Sequence, residues 1–177
     1  RWLLAGTHLV RLDHSRGFAD YWAVRGEDPR DGAWYPGPGR EFFEHLEDQL
    51  GGLPFVAENL GILSSAALEL QRDLPVAAMQ VLQFMNPPEP PGPLRIPLSR
   101  KEDFLYTGTH DNETLAGWSS SSTPERWLRM CLNSAADTVV VPLQDWLGLD
   151  NRARMNRPGT LEGNWGWKAD PAMLEPQ

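Results

Sequence analysis

Short apolar runs alternate with stretches of helical periodicity from one end of the chain to the other. "THLVRLDH" (7–14) reads as a buried strand. Side chains two apart on a strand share a face, so Arg11 and Asp13 point one way while Val10 and Leu12 face covering helices. "REFFEHLEDQL" (40–50) places Phe42, Phe43, Leu46 and Leu50 on one helical face, with Pro and Gly before it and Gly51 and Gly52 after it. "LPFVAENLG" (53–61) is a strand with Glu58 at its C-terminal end, and "SSAALELQRDL" (64–74) a helix capped by Ser64 or Ser65. "AAMQVLQFM" (77–85) reads as a further strand, and the proline-rich "NPPEPPGPLRIP" (86–97) as a loop. "DFLYTGTHDNE" (103–113) is a strand running into a polar tip. "TPERWLRMCLNSA" (123–135) is a helix with Thr123 as N-cap and Pro124 at its first position, and "DTVVVPLQ" (137–144) a fifth strand.

Nearly continuous apolar strands alternating with amphipathic helices predict a parallel sheet covered by helices. No repeat or linker divides the chain, so residues 1–177 are expected to belong to one domain. Asp13, Glu58 and the His110–Asp111 pair fall at the C-terminal ends of three different strands. That is where chemistry is assembled in a (β/α)₈ barrel and equally in an open doubly wound sheet. The glycine-rich GxGxxG loop of a dinucleotide site is absent.

Composition narrows the function classes. The net charge of −8 shows no basic stripe for a nucleic acid. No apolar run reaches the ~20 residues of a membrane span. Cys131 is the single cysteine, which fits a reducing, cytoplasmic compartment, and no Cys/His metal cluster stands out. The chain opens at Arg1 without Met or a signal pattern, as though cut from something longer. Of the eight tryptophans, most are expected to fill the core and a minority to stack on sugar.

The carboxylates suggest a division of labour. A guanidinium beside Asp13 would hold it ionised, as a nucleophile requires. Burial and the nearby aspartate would raise the pKa of Glu58, as a general acid requires. Such a pair is the machinery of a glycosidase. Asp111 would grip sugar hydroxyls, and Gly108 would let a ligand approach the backbone. Taken singly, a strand Arg–Asp pair also serves as a structural ion pair, and a glutamate at a strand end as a solvated group or cap. His8 and His14 suit packing or supporting roles, and His45 lies on the solvent side of its helix.

The stretches "RLDHSRGF", "WYPGPGREFF", "VAENLG", "MQVLQF", "YTGTHDNETLAGW", "VVVPLQDWLGL" and "ARMNRPGTLEGNWGWK" resemble, in order, those of the 4-α-glucanotransferases, or amylomaltases, of glycoside hydrolase family 77. The resemblance implies a (β/α)₈ TIM barrel, of which this chain holds the C-terminal five strands while the N-terminal ones are missing. It implies Asp13 as nucleophile, Glu58 as acid/base and Asp111 as the third carboxylate. Arg11 and His110 flank them, and Asn112, Asn164 and Trp165 join them in binding substrate. It implies transfer of α-1,4-glucan segments among maltooligosaccharides, starch or glycogen, with retention, carboxyls ~5–5.5 Å apart and no cofactor or metal. The chain departs from the family pattern at Asn59, where an aspartate is usual, at Ser15, where an aromatic is usual, and at Lys168. The competing readings are an α-glucan hydrolase of the same clan and a truncated, non-catalytic glucan-binding fragment.

Overall fold

A computed structural model of the chain describes residues 2–58, 60–61, 63–86, 96, 98, 100–119 and 124–174. Asn59, most of the proline-rich stretch and the expected Thr123 cap lie outside the described residues. The chain forms two compact units, one ending at Met79 and the other beginning at Gln80. The division falls inside a strand rather than in a linker.

The first unit contains β1 (Val10–Leu12), β2 (Asp20–Val24), β3 (Gly32–Pro36), α1 (Gly39–Leu50), β4 (Phe55–Ala57), α2 (Ser65–Asp73) and the start of β5 (Ala77–Val81). β1 pairs in parallel with β4, and β4 with β5. The strand expected over 7–14 is shorter and less buried than its sequence suggests, because only Val10–Leu12 pairs and Arg11 is exposed. Val10 and Leu12 do pack on the apolar cluster of Phe43, Phe55, Ala57, Leu74 and Val76. Leu46 and Leu50 of α1 join that cluster, whereas Phe42 sits at its exposed margin and stacks on Phe18 at 5.2 Å.

Ser64 is the cap of α2, its Oγ accepting from the Ala67 amide at 3.1 Å. The same hydroxyl donates to Asp20, whose other oxygen takes Arg16 Nε at 2.9 Å. The segment that follows β1 is thereby tied to the helix that follows β4.

β2 and β3 form an antiparallel hairpin that the sequence reading does not anticipate. Tyr21 lies opposite Tyr35, and Trp22 opposite Trp34. The Trp22 ring occupies the space above Gly32, where an added Cβ would come within 2.6 Å of it. Its indole N–H donates to Pro29 O at 2.9 Å. Most tryptophans do not fill the core, contrary to expectation: Trp127 alone of the eight is buried, and Trp2, Trp22, Trp34, Trp146 and Trp165 are exposed.

The second unit completes β5 and adds α3 (Leu82–Met85), β6 (Phe104–Tyr106), α4 (Leu115–Trp118), α5 (Pro124–Leu132), β7 (Thr138–Val140) and α6 (Leu143–Trp146). "AAMQVLQFM" is therefore not one strand, since the chain coils after Val81 and buries Leu82 completely. β6 and β7 pair in parallel, and the core gathers Leu82, Leu105, Leu115, Trp127 and Cys131. The strand order of the sheet is β1-β4-β5-β6-β7, the parallel α/β arrangement that the alternation predicts.

Candidate active site

In the first unit the site follows from strand register. β1 and β4 align Arg11 with Val56 and Leu12 with Ala57, so the next step of the ladder sets Asp13 beside Glu58. The backbone continues the lacing past both strands: the Glu58 amide donates to Leu12 O at 3.0 Å and the Ser15 amide to Glu58 O at 3.1 Å. The Ser15 hydroxyl adds a second donor to that carbonyl at 2.8 Å. Between them His14 adopts a left-handed conformation (φ 46°, ψ 51°), uncommon for a residue with a side chain. The turn aims the His14 amide at Glu58 Oε2, 3.2 Å away.

Arg11 bridges the two carboxyls through one nitrogen. Its Nη2 lies 2.8 Å from Asp13 Oδ1 and 2.6 Å from Glu58 Oε2, so these oxygens are no further apart than the two distances laid end to end, about 5.4 Å. The Glu58 side chain is 19% exposed and that of Asp13 82%. The raised pKa expected for Glu58 is not found: its carboxyl is held below its ordinary value of 4.5. Burial, the strongest single influence, pushes it up. A hydrogen bond shared with the Asp13 carboxyl, the bonds from Arg11 and the His14 amide, and the guanidinium charge together outweigh burial. The sequence reading weighed burial and the aspartate's negative charge but not the donors that the turn supplies.

In the second unit the polar tip after β6 is a tight turn. Asn112 Oδ1 accepts from the amide and the hydroxyl of Thr109, both at 2.8 Å, so this part of the side chain serves the turn. Gly108 also has a structural reason: an added Cβ would lie 2.9 Å from Gln83 Nε2, which donates to Glu113 O at 2.7 Å. A side chain of the protein therefore approaches this glycine closely.

The segment 154–165 folds back onto the turn. Arg154 Nη2 donates to Asp111 O at 2.6 Å, the Asn156 amide to His110 O at 3.0 Å, and Asn156 Nδ2 to Asp111 Oδ1 at 2.5 Å. Asp111 Oδ1 also lies 3.5 Å from His110 Nε2. The Trp165 ring tilts over the His110 ring with centroids 5.2 Å apart. Asn164 closes its own loop, accepting from the Arg157 amide at 2.9 Å and donating to Thr160 O at 3.1 Å. This closure precedes a left-handed Trp165 (φ 60°) that remains 58% exposed. Beneath the turn, buried Asp145 accepts from Thr107 Oγ1 at 2.6 Å and the Leu115 amide at 2.7 Å. Burial pushes its carboxyl pKa up, against the pull of those two bonds.

The structure thus brings Arg11, Asp13 and Glu58 together in one unit, and His110, Asp111 and Trp165 in the other. Asn112 and Asn164 are engaged in their own loops. The sequence reading misses His14 as a backbone donor, Ser15 as a brace for Glu58, and Arg154 and Asn156 as partners of Asp111. The "RMN" triplet was the available signal for the last two.

The family described as 4-alpha-glucanotransferase matches residues 1–173. The 4-alpha-glucanotransferase of Synechocystis is 39% identical over 94% of this chain and 37% of its own length. That of Thermus thermophilus is 34% identical over 96% and 40%. Among solved structures, the amylomaltase from Streptococcus agalactiae in complex with acarbose superposes with a TM-score of 0.83 at 32% identity, over 94% of this chain and 38% of that one. The amylomaltase from Corynebacterium glutamicum, at 17% identity and a TM-score of 0.70, shares the fold. The chain therefore spans less than half the length of these relatives. Its parallel strands and helices correspond to part of the TIM barrel of the amylomaltases. With the family match running through nearly every described residue, the chain belongs to the 4-α-glucanotransferases of glycoside hydrolase family 77.

Proposed function

We propose that the protein containing this chain transfers α-1,4-glucan segments to the 4-hydroxyl of glucose or of another glucan, by a retaining double displacement. The observation that carries the reading is the single Arg11 nitrogen shared by Asp13 and Glu58. It keeps the two carboxyls close together, as retaining chemistry requires, and its charge favours the ionised form of each. In the first step Glu58, in its acid form, gives a proton to the glycosidic oxygen as the C1–O bond breaks, while ionised Asp13 forms a bond to C1. In the second, Glu58 takes the proton of the acceptor 4-hydroxyl, whose oxygen displaces Asp13 from C1. Because the carboxyl of Glu58 is held below its ordinary pKa, its acid form has to be raised on binding, as sugar excludes water and Arg11 pairs with Asp13. Asp111, backed by His110, holds sugar hydroxyls, and the exposed face of Trp165 stacks on a sugar ring.

Family membership supports maltooligosaccharides and starch- or glycogen-type glucans as substrates. A cytoplasmic location belongs to the same reading and is supported by the lone, buried thiol of Cys131. No described helix is long and apolar enough to cross a membrane.

Incubation of the intact protein with maltotriose tests the activity. Glucose together with a ladder of longer chains is expected, and both Asp13→Asn and Glu58→Gln should lower the rate by about a thousandfold or more. Products only shorter than maltotriose, or starch binding without turnover, would overturn the assignment.

A further inference from the structure

The Asp111 carboxylate is held asymmetrically. Oδ1 accepts from Asn156 Nδ2 at 2.5 Å and lies 3.5 Å from His110 Nε2. Oδ2 has no hydrogen-bond partner among the described residues, and the side chain is 45% exposed. Asn156 is itself fixed through its main chain: its amide donates to His110 O at 3.0 Å and its carbonyl accepts from Arg154 Nε at 2.8 Å. The loop therefore fixes where its side chain leaves the main chain, within reach of Asp111. The bond to Asp111 Oδ1 is the single hydrogen bond of that amide among the described residues, and the main-chain bonds that close the loop do not use it.

We propose that Asn156 is a positioning residue for Asp111: it saturates one carboxylate oxygen so that the other is presented, in a fixed direction, to sugar hydroxyls. This rests on the reading of Asp111 as the sugar-gripping carboxylate. An amide suits the task chemically. It donates at every pH, whereas a carboxyl at the same place would donate only while protonated. A hydrogen bond to a charged acceptor is among the stronger ones, and its geometry specifies where the second oxygen goes.

The test uses Asn156→Ala, the isosteric Asn156→Asp and, as a control, Asp111→Asn, all in the intact protein. Asn156→Ala should lower kcat/KM by about ten- to a hundredfold, mainly through kcat, while the thermal midpoint changes little. Asn156→Asp carries a pH signature that a merely structural residue would not. At low pH its protonated carboxyl donates to Asp111 as the amide does. As pH rises it ionises against Asp111, so the ratio of its activity to that of the unmodified protein falls. The charged and titratable groups facing this point are Asp111, His110, Arg154 and Glu113, whose Oε1 lies 3.7 Å from Arg154 Nη1. They are common to both proteins, so the ratio isolates position 156. Asn156→Ala within about twofold of the unmodified protein, or a ratio flat with pH, would overturn the proposal. So would activity lost only in step with the folded fraction. If Asp111→Asn keeps full activity, the reading of Asp111 fails; if it is inactive while both Asn156 variants behave normally, only the proposal for Asn156 fails.

Discussion

Arg11 is one of the groups that hold the Glu58 carboxyl below its ordinary pKa, and it touches Asp13 as well. Its guanidinium is within 2.8 Å of one carboxyl and 2.6 Å of the other, so removing it withdraws the cation from both at once. Arg11→Ala should move the acid limb of the kcat/KM–pH profile to higher pH and lower the maximum by about tenfold or more. Arg11→Lys should restore the limb in part, because an ammonium supplies charge without the planar fork. An unmoved limb in Arg11→Ala would mean that the guanidinium does not set the protonation of the pair. This arginine and its carboxylates are legible in sequence because a strand repeats every two residues and ends at a known rim. The His14 amide and Asn156 are not. The first acts through a left-handed main chain (φ 46°), and the second sits on a loop 45 residues beyond Asp111. Neither backbone sign nor loop return leaves a periodic trace.

Ser64 serves two elements with one hydroxyl. Its oxygen caps α2 and its proton goes to Asp20, which also holds Arg16. Ser64→Ala should cost about 1–2 kcal/mol in a denaturant midpoint measurement, more than an isolated cap, because Asp20 loses a donor as well. A change within a few tenths of a kcal/mol would show that the two bonds are not coupled. The helices α1, α2 and α5 were readable because each carries an apolar stripe and a start signal. The β2–β3 hairpin was not. Its connection, 25–31, is longer than the two-residue turns that announce hairpins, and its aromatic pairs blur the alternation of apolar and polar faces. The helical turn Leu82–Met85 was hidden for a different reason, since "VLQFM" suits a buried strand and a buried helix equally.

Across the molecule, pH acts on stability through carboxyls of opposite sign. Glu58 and Asp20 have depressed folded values, so each contributes stability above its unfolded value, near 4.5 and 3.8, and loses it as pH falls through the folded one. Asp145 has a raised value, so its contribution is complete below about 3.8 and is lost as pH rises through the folded value. Urea midpoints taken from about pH 3 to about pH 7 should therefore diverge in opposite directions. Asp145→Asn should gain on the unmodified protein as pH rises, with the Thr107 hydroxyl turning to accept, and Glu58→Gln should fall behind. Parallel curves would contradict both assignments. The left-handed turn at His14 carries a consequence for how such a protein tolerates change. Of the groups that brace Glu58, Leu12 O, His14 N and Ser15 N belong to the peptide chain itself. A library containing every single amino-acid replacement would leave those atoms in place at nearly every position. Such a survey would score residue 14 by its side chain and by how well each replacement tolerates a φ of 46°. Of the twenty residues only proline removes the amide that faces Glu58, and it breaks the turn as well, so ester-for-amide synthesis is the clean deletion.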